Sequence, residues 1–226
     1  MQSGDLNDRF DVILLASDNP RALINGFSKG SVPPRYEGGI GATGVRNLDL
    51  FVREGGTLVC MNASCELAID ELHVPVKNVV KDLERKDYFT GNSILEVDVN
   101  TSHPVMAGMP ETADVFVSRS PVFSTSEGFE GVAIASYTDT GNPLRSGYML
   151  GEEHLQGFAA ALDVYHGDGH VIMLGFRPQW RGQPFGTFRV LFNAMFYGGA
   201  LAAENLGDPD FWTTPPEKKE AAESSE

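Results

Sequence analysis

The sequence predicts an α/β fold built on a parallel sheet, and three observations carry that prediction. Residues 10–17, FDVILLAS, are a continuous apolar run of the kind a strand adopts when both of its faces are covered. Residues 55–70, GGTLVCMNASCELAID, read as two glycines, a short buried strand, a small polar break and an amphipathic helix. Between these two strands lies TGVRNLDLFVREGG, so the order is strand, helix, strand, helix, which a parallel sheet with helical crossovers requires.

Taken in order, the first strand leads into DNPRALINGFSKGSVPPRYEGGIG, a Gly- and Pro-rich stretch too long for a simple connector and expected on the surface. The following helix places Val45, Leu48, Phe51 and Val52 on one face, with Gly55 and Gly56 where a helix stop is expected. A second helix is expected from about Ser64 to Leu72. After His73 the pattern changes to five further strand candidates: SILEVDVN, ADVFVSRS, GVAIASYT, GFAAALDVYH and HVIMLGF. The last two are joined by YHGDGHV, a tight hairpin turn, so an antiparallel hairpin is expected near the C-terminus. A closing helix follows, with Phe188, Leu191, Phe192, Met195 and Phe196 at helical spacing and expected in the core. Residues 205–226 are polar, acidic and Pro-punctuated and read as a disordered tail, leaving one domain over residues 1–204.

Composition excludes several partner classes. Lys and Arg number 17 against 31 Asp and Glu, a net charge of −14, whereas a nucleic-acid-binding face must be basic. No apolar run reaches 18 residues, so no membrane span is expected. The opening MQSGDLNDRF has neither the basic start nor the apolar core of a signal peptide. The two cysteines do not make a disulfide framework.

Four stretches, GGIGATGVRNLDLFVREGGTLVCMNASCELAIDEL, TSHPVMAGMP, SGYMLGEEHLQGFAAALDV and GFRPQWRGQPFGTFRVLFNA, together span roughly residues 10–198. In order and spacing they resemble the class I glutamine amidotransferase-like domain that follows the catalytic domain in some bacterial M14 zinc carboxypeptidases. The resemblance implies a three-layer flavodoxin-like sandwich, largely parallel, whose first strand–helix unit is missing from this chain. It further implies an exported parent protein, a covalently linked peptidase domain that holds the zinc, and no metal or cofactor in this chain. Other copies of the chain are the alternative partner.

In that family the nucleophilic cysteine occupies the turn between strand and helix. Laid on this sequence, the pattern puts the elbow at Asn62 or, as the alternative, Ala63; neither side chain is a nucleophile, and the family's late His-x-Glu pair has no counterpart. No catalytic residue is therefore expected. The alternatives are Ser64 or Cys65 acting with a histidine such as His154: a helix N-terminus lowers a thiol's pKa, although Ser64 is also placed to cap the helix. None of the five histidines begins the H-x-x-E pattern of an M14 zinc site. A carboxylate or sugar site is expected instead where GFRPQWRGQ follows a strand, because ligands of open α/β sheets bind at the C-terminal strand edge. Arg177, Gln179 and Arg181 offer planar cations and an amide there, and Arg119 could join them. Glu152 and Glu153, in GEEHLQG, are candidates at the same site, or the partners that pin these arginines structurally.

Overall fold

The computed structural model describes residue 1 and residues 4–201. The expected tail over 205–226 lies outside the described residues. In chain order the elements are β1 (Val12–Leu15), α1 (Pro20–Asn25), α2 (Gly41–Arg53), β2 (Thr57–Met61) and α3 (Cys65–Asp70). Then come β3 (Val76–Asn78), β4 (Phe89–Thr90), β5 (Ser93–Val99), β6 (Thr112–Val117), β7 (Phe123–Thr125) and β8 (Gly131–Ser136). The last are β9 (Leu144–Ser146), β10 (Met149–Leu150), β11 (Ala159–His166), β12 (Gly169–Leu174) and α4 (Phe185–Leu201). Every strand and helix expected from periodicity is present. The extra elements are α1 and strands of two or three residues (β3, β4, β7, β9, β10), too short to generate a readable period.

The main sheet runs β1-β2-β12-β11-β8-β5-β6. β1, β2 and β12 are parallel, with Leu15 beside Cys60 and Met61 beside Leu174. The expected hairpin is β11–β12, closed by Gly167 and Asp168 between the paired His166 and Gly169. The antiparallel part extends beyond that hairpin, because β8, β5 and β6 also join by antiparallel pairs. The sheet curls until the end of β6 meets the end of β12, where the Arg177 N–H donates to the Phe116 carbonyl at 2.9 Å.

Both faces of the parallel part are covered. Leu58, Cys60, Val171 and Met173 pack against Leu48, Phe51 and Val52 of α2 and Leu67 of α3. Val59, Met61, Ile172 and Leu174 face Val190, Ala194 and Tyr197 of α4. All five residues of β2 are buried, which explains its unbroken apolar run. This three-layer sandwich is the predicted fold class.

The stripe on the closing helix is corrected in part, since Leu191 packs partly buried against the core but three of its residues do not. Phe192, Met195 and Phe196 are 53%, 47% and 75% exposed, while Thr187, Val190, Ala194 and Tyr197 face inward. The reason is steric. A Cβ on Gly198 would stand 2.6 Å from Val12 Cγ2, so α4 approaches the sheet through its small residues and rotates the aromatic stripe outward.

A polar cluster lies inside this sandwich. Asp163 of β11 is fully buried. Its carboxylate meets His103 Nε2 at 3.1 Å, His170 Nδ1 at 2.9 Å and the Tyr197 hydroxyl at 3.1 Å. Since His103 Nδ1 accepts the Val105 N–H, its proton sits on Nε2 and points at Asp163. Burial raises the Asp163 pKa, but the hydrogen bonds from His103 and His170, and their charges, outweigh it and hold the carboxyl below its ordinary value. His103, which sequence alone leaves as a lone histidine in a turn, thus fastens that turn to the sheet and α4.

Candidate functional site at the C-terminal strand edge

Because β1, β2 and β12 are parallel and in register, the residues just after them emerge together. These are Ser17, Asn62 and Gly175–Arg177. Asn62 is fully buried and left-handed, with φ of 50°. That is the strained strand-to-helix turn the sequence places at this residue. With its amide oriented to satisfy its neighbours, Asn62 Oδ1 accepts from the Ala63 N–H at 3.0 Å, the Ser17 hydroxyl at 3.2 Å and Arg177 Nη2 at 3.3 Å. Nδ2 then donates to Ser120 Oγ at 2.5 Å. Ser120 Oγ also accepts the Ser118 N–H at 3.1 Å, so the elbow is tied to the segment after β6.

The two alternative nucleophiles are placed otherwise. Ser64 stands at the N-cap position of α3, but its hydroxyl makes no capping bond. It accepts the Met61 N–H at 2.8 Å and reaches the Leu15 carbonyl at 3.0 Å, joining the ends of β1 and β2. The cap reading is corrected accordingly: the tight turn aims the hydroxyl back at the strands. Cys65 is fully buried against the Cys60 and Leu174 carbonyls. Burial, then the neighbouring Cys60 and Glu66, push its thiol well above the ordinary value, and burial pushes Cys60 up to about 12. In the native protein both thiols are therefore expected to resist Ellman's reagent, reacting fully only after unfolding in guanidinium. Rapid labelling of one thiol under native conditions would contradict this geometry.

No histidine among the described residues hydrogen-bonds Ser64 or Cys65. His154 lies in a short turn, edge-on to Tyr88 at 6.2 Å and 3.8 Å from Glu153. Glu152 belongs to the same turn. Among the described residues neither glutamate pairs with Arg119, Arg177 or Arg181, which removes the structural pinning offered as the plainer reading of those arginines. Among the described residues no group of three or more His, Cys, Asp or Glu could hold a metal ion. No helix among them is long and apolar enough to cross a membrane.

The arginines form a connected group. The Arg177 guanidinium lies 4.5 Å from the Trp180 ring centroid and that of Arg181 lies 5.5 Å away. The Trp180 ring also stacks on Phe116, with centroids 6.2 Å apart and planes at 12°. Burial, then the charge of Arg119, hold Arg177 below the ordinary guanidinium value, and its Nε is buried with no hydrogen-bond partner. Among the described residues, three of the five non-glycine left-handed ones, Asn62, Arg119 and Arg181, lie at this edge. Residues held in this region cluster at functional sites, which makes this edge the candidate.

Two cavities are lined by residues of this edge. One, of about 280 Å³, is lined by Ser17, Met61, Arg177, Gln179, Trp180 and Arg181. The other, of about 390 Å³, is lined by Lys81, Tyr88, Phe89, Arg119 and Ser120, with Glu66 and Asp70 on its wall. Lys81 is neutralised within that wall by Glu66 at 2.7 Å and Asp70 at 3.0 Å. Among the described residues no carboxylate pairs with Arg119 or Arg177, which remain as positive charge in a chain that is otherwise strongly acidic. Sequence reasoning misses Ser17 and Ser120. Ser17 ends the apolar run FDVILLAS and Ser120 stands three residues past the apolar VFV, and that is the only signal they carry.

Comparison with known proteins supports the fold. The chain superposes on a cytoplasmic protein of Salmonella typhimurium with a TM-score of 0.53, at 14% identity over 87% of this chain and 75% of that one. A candidate GMP synthase component of Thermoplasma acidophilum gives 0.50, at 12% identity over 87% and 76%. A β-galactosidase from Bacillus circulans sp. alkalophilus gives 0.49 at 11% identity; 88% of this chain matches 24% of that enzyme, about a quarter of its length. No family model and no curated protein matches the chain. The fold is therefore class I glutamine amidotransferase-like, and function has to be argued from the site.

Proposed function

We propose that this chain is a non-catalytic binding module on the amidotransferase-like fold, taking small carboxylate-bearing ligands at the edge formed by Arg119, Arg177 and Arg181. The observation that carries the reading is that, among the described residues, no carboxylate pairs with Arg119 or Arg177, while Arg177 meets the left-handed Asn62 and lies over the Trp180 ring. A guanidinium fixed on an aromatic face presents its N–H fork in one plane, which suits a two-oxygen anion. At the elbow, where a working amidotransferase carries a thiolate, Asn62 has only an amide, and that amide is committed to holding Arg177 and Ser120.

The sequence resemblance to the domain following M14 zinc carboxypeptidases supports an accessory place beside a peptidase domain, with zinc confined to that domain. Detection of the native polypeptide at a mass well above 24.5 kDa in its source cells would support the accessory place. A band at 24.5 kDa would count against it.

The binding reading is tested by titration calorimetry with benzoate, glucuronate and inorganic phosphate. Saturable binding of a carboxylate is expected, weakened by about tenfold or more in Arg177→Ala, in line with roughly 1.5–3 kcal/mol for a charge-assisted bond. Unchanged heats in Arg177→Ala and Arg119→Ala would reject the site.

A further inference from the structure

The two arginines that carry the proposed site line different cavities. Arg177 lines the one of about 280 Å³ and Arg119 the one of about 390 Å³. A single side chain joins the two linings. The Asn62 amide meets Ser17 and Arg177 of the first cavity through Oδ1, at 3.2 and 3.3 Å, and Ser120 of the second through Nδ2, at 2.5 Å. Arg119 directly precedes Ser120 in the chain. The two guanidiniums are near enough that the charge of Arg119, after burial, helps to hold Arg177 below its ordinary value.

Like charges this close repel, and among the described residues no carboxylate pairs with either arginine. The carboxylates on the wall of Arg119's cavity are engaged already, Glu66 and Asp70 meeting Lys81 at 2.7 and 3.0 Å. An anion with a single charge relieves one guanidinium and leaves the other. A ligand with two charges relieves both, and those charges have to stand apart because the guanidiniums line separate cavities. That separation favours two carboxylates on a carbon chain over a phosphate, which gathers its charge on one small group. The walls suit a carbon chain, since Met61 and Trp180 line one cavity and Leu83, Tyr88 and Phe89 the other. We infer that the site takes a dicarboxylate, with one carboxylate on Arg177, the other on Arg119, and the chain between them passing the Asn62 amide. This rests on the binding reading proposed above and narrows its ligand.

The test is titration calorimetry on the whole chain with succinate, glutarate and adipate, each against the monocarboxylate of the same length: butyrate, valerate and hexanoate. At least one dicarboxylate is expected to bind about fivefold or more tightly than its monocarboxylate, the gain of one further, exposed charged contact. Arg119→Gln and Arg119→Ala, which remove that charge, are each expected to erase the lead while far-UV circular dichroism stays native. Inorganic phosphate is expected to bind more weakly than the best dicarboxylate. Equal affinity within every pair would overturn the inference and leave the carboxylate site standing. A lead that survives in both Arg119 variants would overturn it too, and so would phosphate binding more tightly than every dicarboxylate. Binding of no carboxylate at all would remove the carboxylate site itself, so the two failures are told apart.

Discussion

Replacing Asp163 by alanine is expected to destabilise the fold by about 3–5 kcal/mol, the cost of removing one member of a buried, hydrogen-bonded charge cluster. For a domain of this size that corresponds to a fall in Tm of roughly 6–20 °C. The loss is large because one carboxylate satisfies three groups from three elements: His103 before a short turn, His170 on β12 and Tyr197 on α4. Alanine leaves all three without that acceptor in the interior. Asp163→Asn keeps the shape and is expected to cost less, since an amide oxygen can still accept. The pH dependence follows from the same cluster. The folded carboxyl titrates below its unfolded value of about 3.9, so this stabilisation is complete above that pH and is lost as pH falls through the lower folded value. Thermal melts between about pH 7 and pH 2.5 should show the gap between the native chain and Asp163→Ala closing only in acid. A gap that is constant with pH would mean the carboxylate's charge is irrelevant.

The elbow supplies the second large effect. Asn62→Ala is expected to cost about 2–4 kcal/mol. Roughly 1–2 kcal/mol comes from a Cβ-bearing, non-amide residue held left-handed, and the rest from the orphaned partners Ser17, Ser120 and Arg177. Asn62→Gly removes the first part and keeps the second, so urea titration should place it about 1 kcal/mol or more above the alanine variant. Asn62→Asp separates fold from function. Its carboxylate faces Arg177 from the same position, so stability should be largely kept while added carboxylate ligands compete with an internal one. Calorimetry on that variant should show ligand affinity down by about tenfold or more. Full affinity in Asn62→Asp would mean the ligand does not approach Arg177 from the elbow side.

Much of the scaffold is legible in the sequence. The strand of Thr57–Met61 announces itself because both of its faces are covered, and α2 because its four apolar residues repeat at helical spacing. The elbow at Asn62 is legible from the small polar break between strand and helix. The aromatic stripe on α4 misleads for a definite reason. Periodicity reports that a face is apolar, not which face the sheet admits, and here steric contact at Gly198 and Val12 sets the rotation. Ser64 misleads in a similar way, since its position suits a cap while its hydroxyl is drawn to the strand ends.

What the sequence determined by itself is therefore local and periodic: the run of strands and helices, the acidic balance, the absence of a side-chain nucleophile at Asn62, and a basic, aromatic stretch after β12. What only the tertiary structure decided is which distant residues meet. Parallel register brings Ser17, Asn62 and Arg177 to one edge, and the curl of the sheet carries Ser120 and Arg119 onto it from the end of β6. Asp163 gathers His103, His170 and Tyr197 from as far as 60 positions away in the chain. Such meetings leave no period in the sequence, because they depend on how whole elements pack rather than on how neighbouring residues alternate.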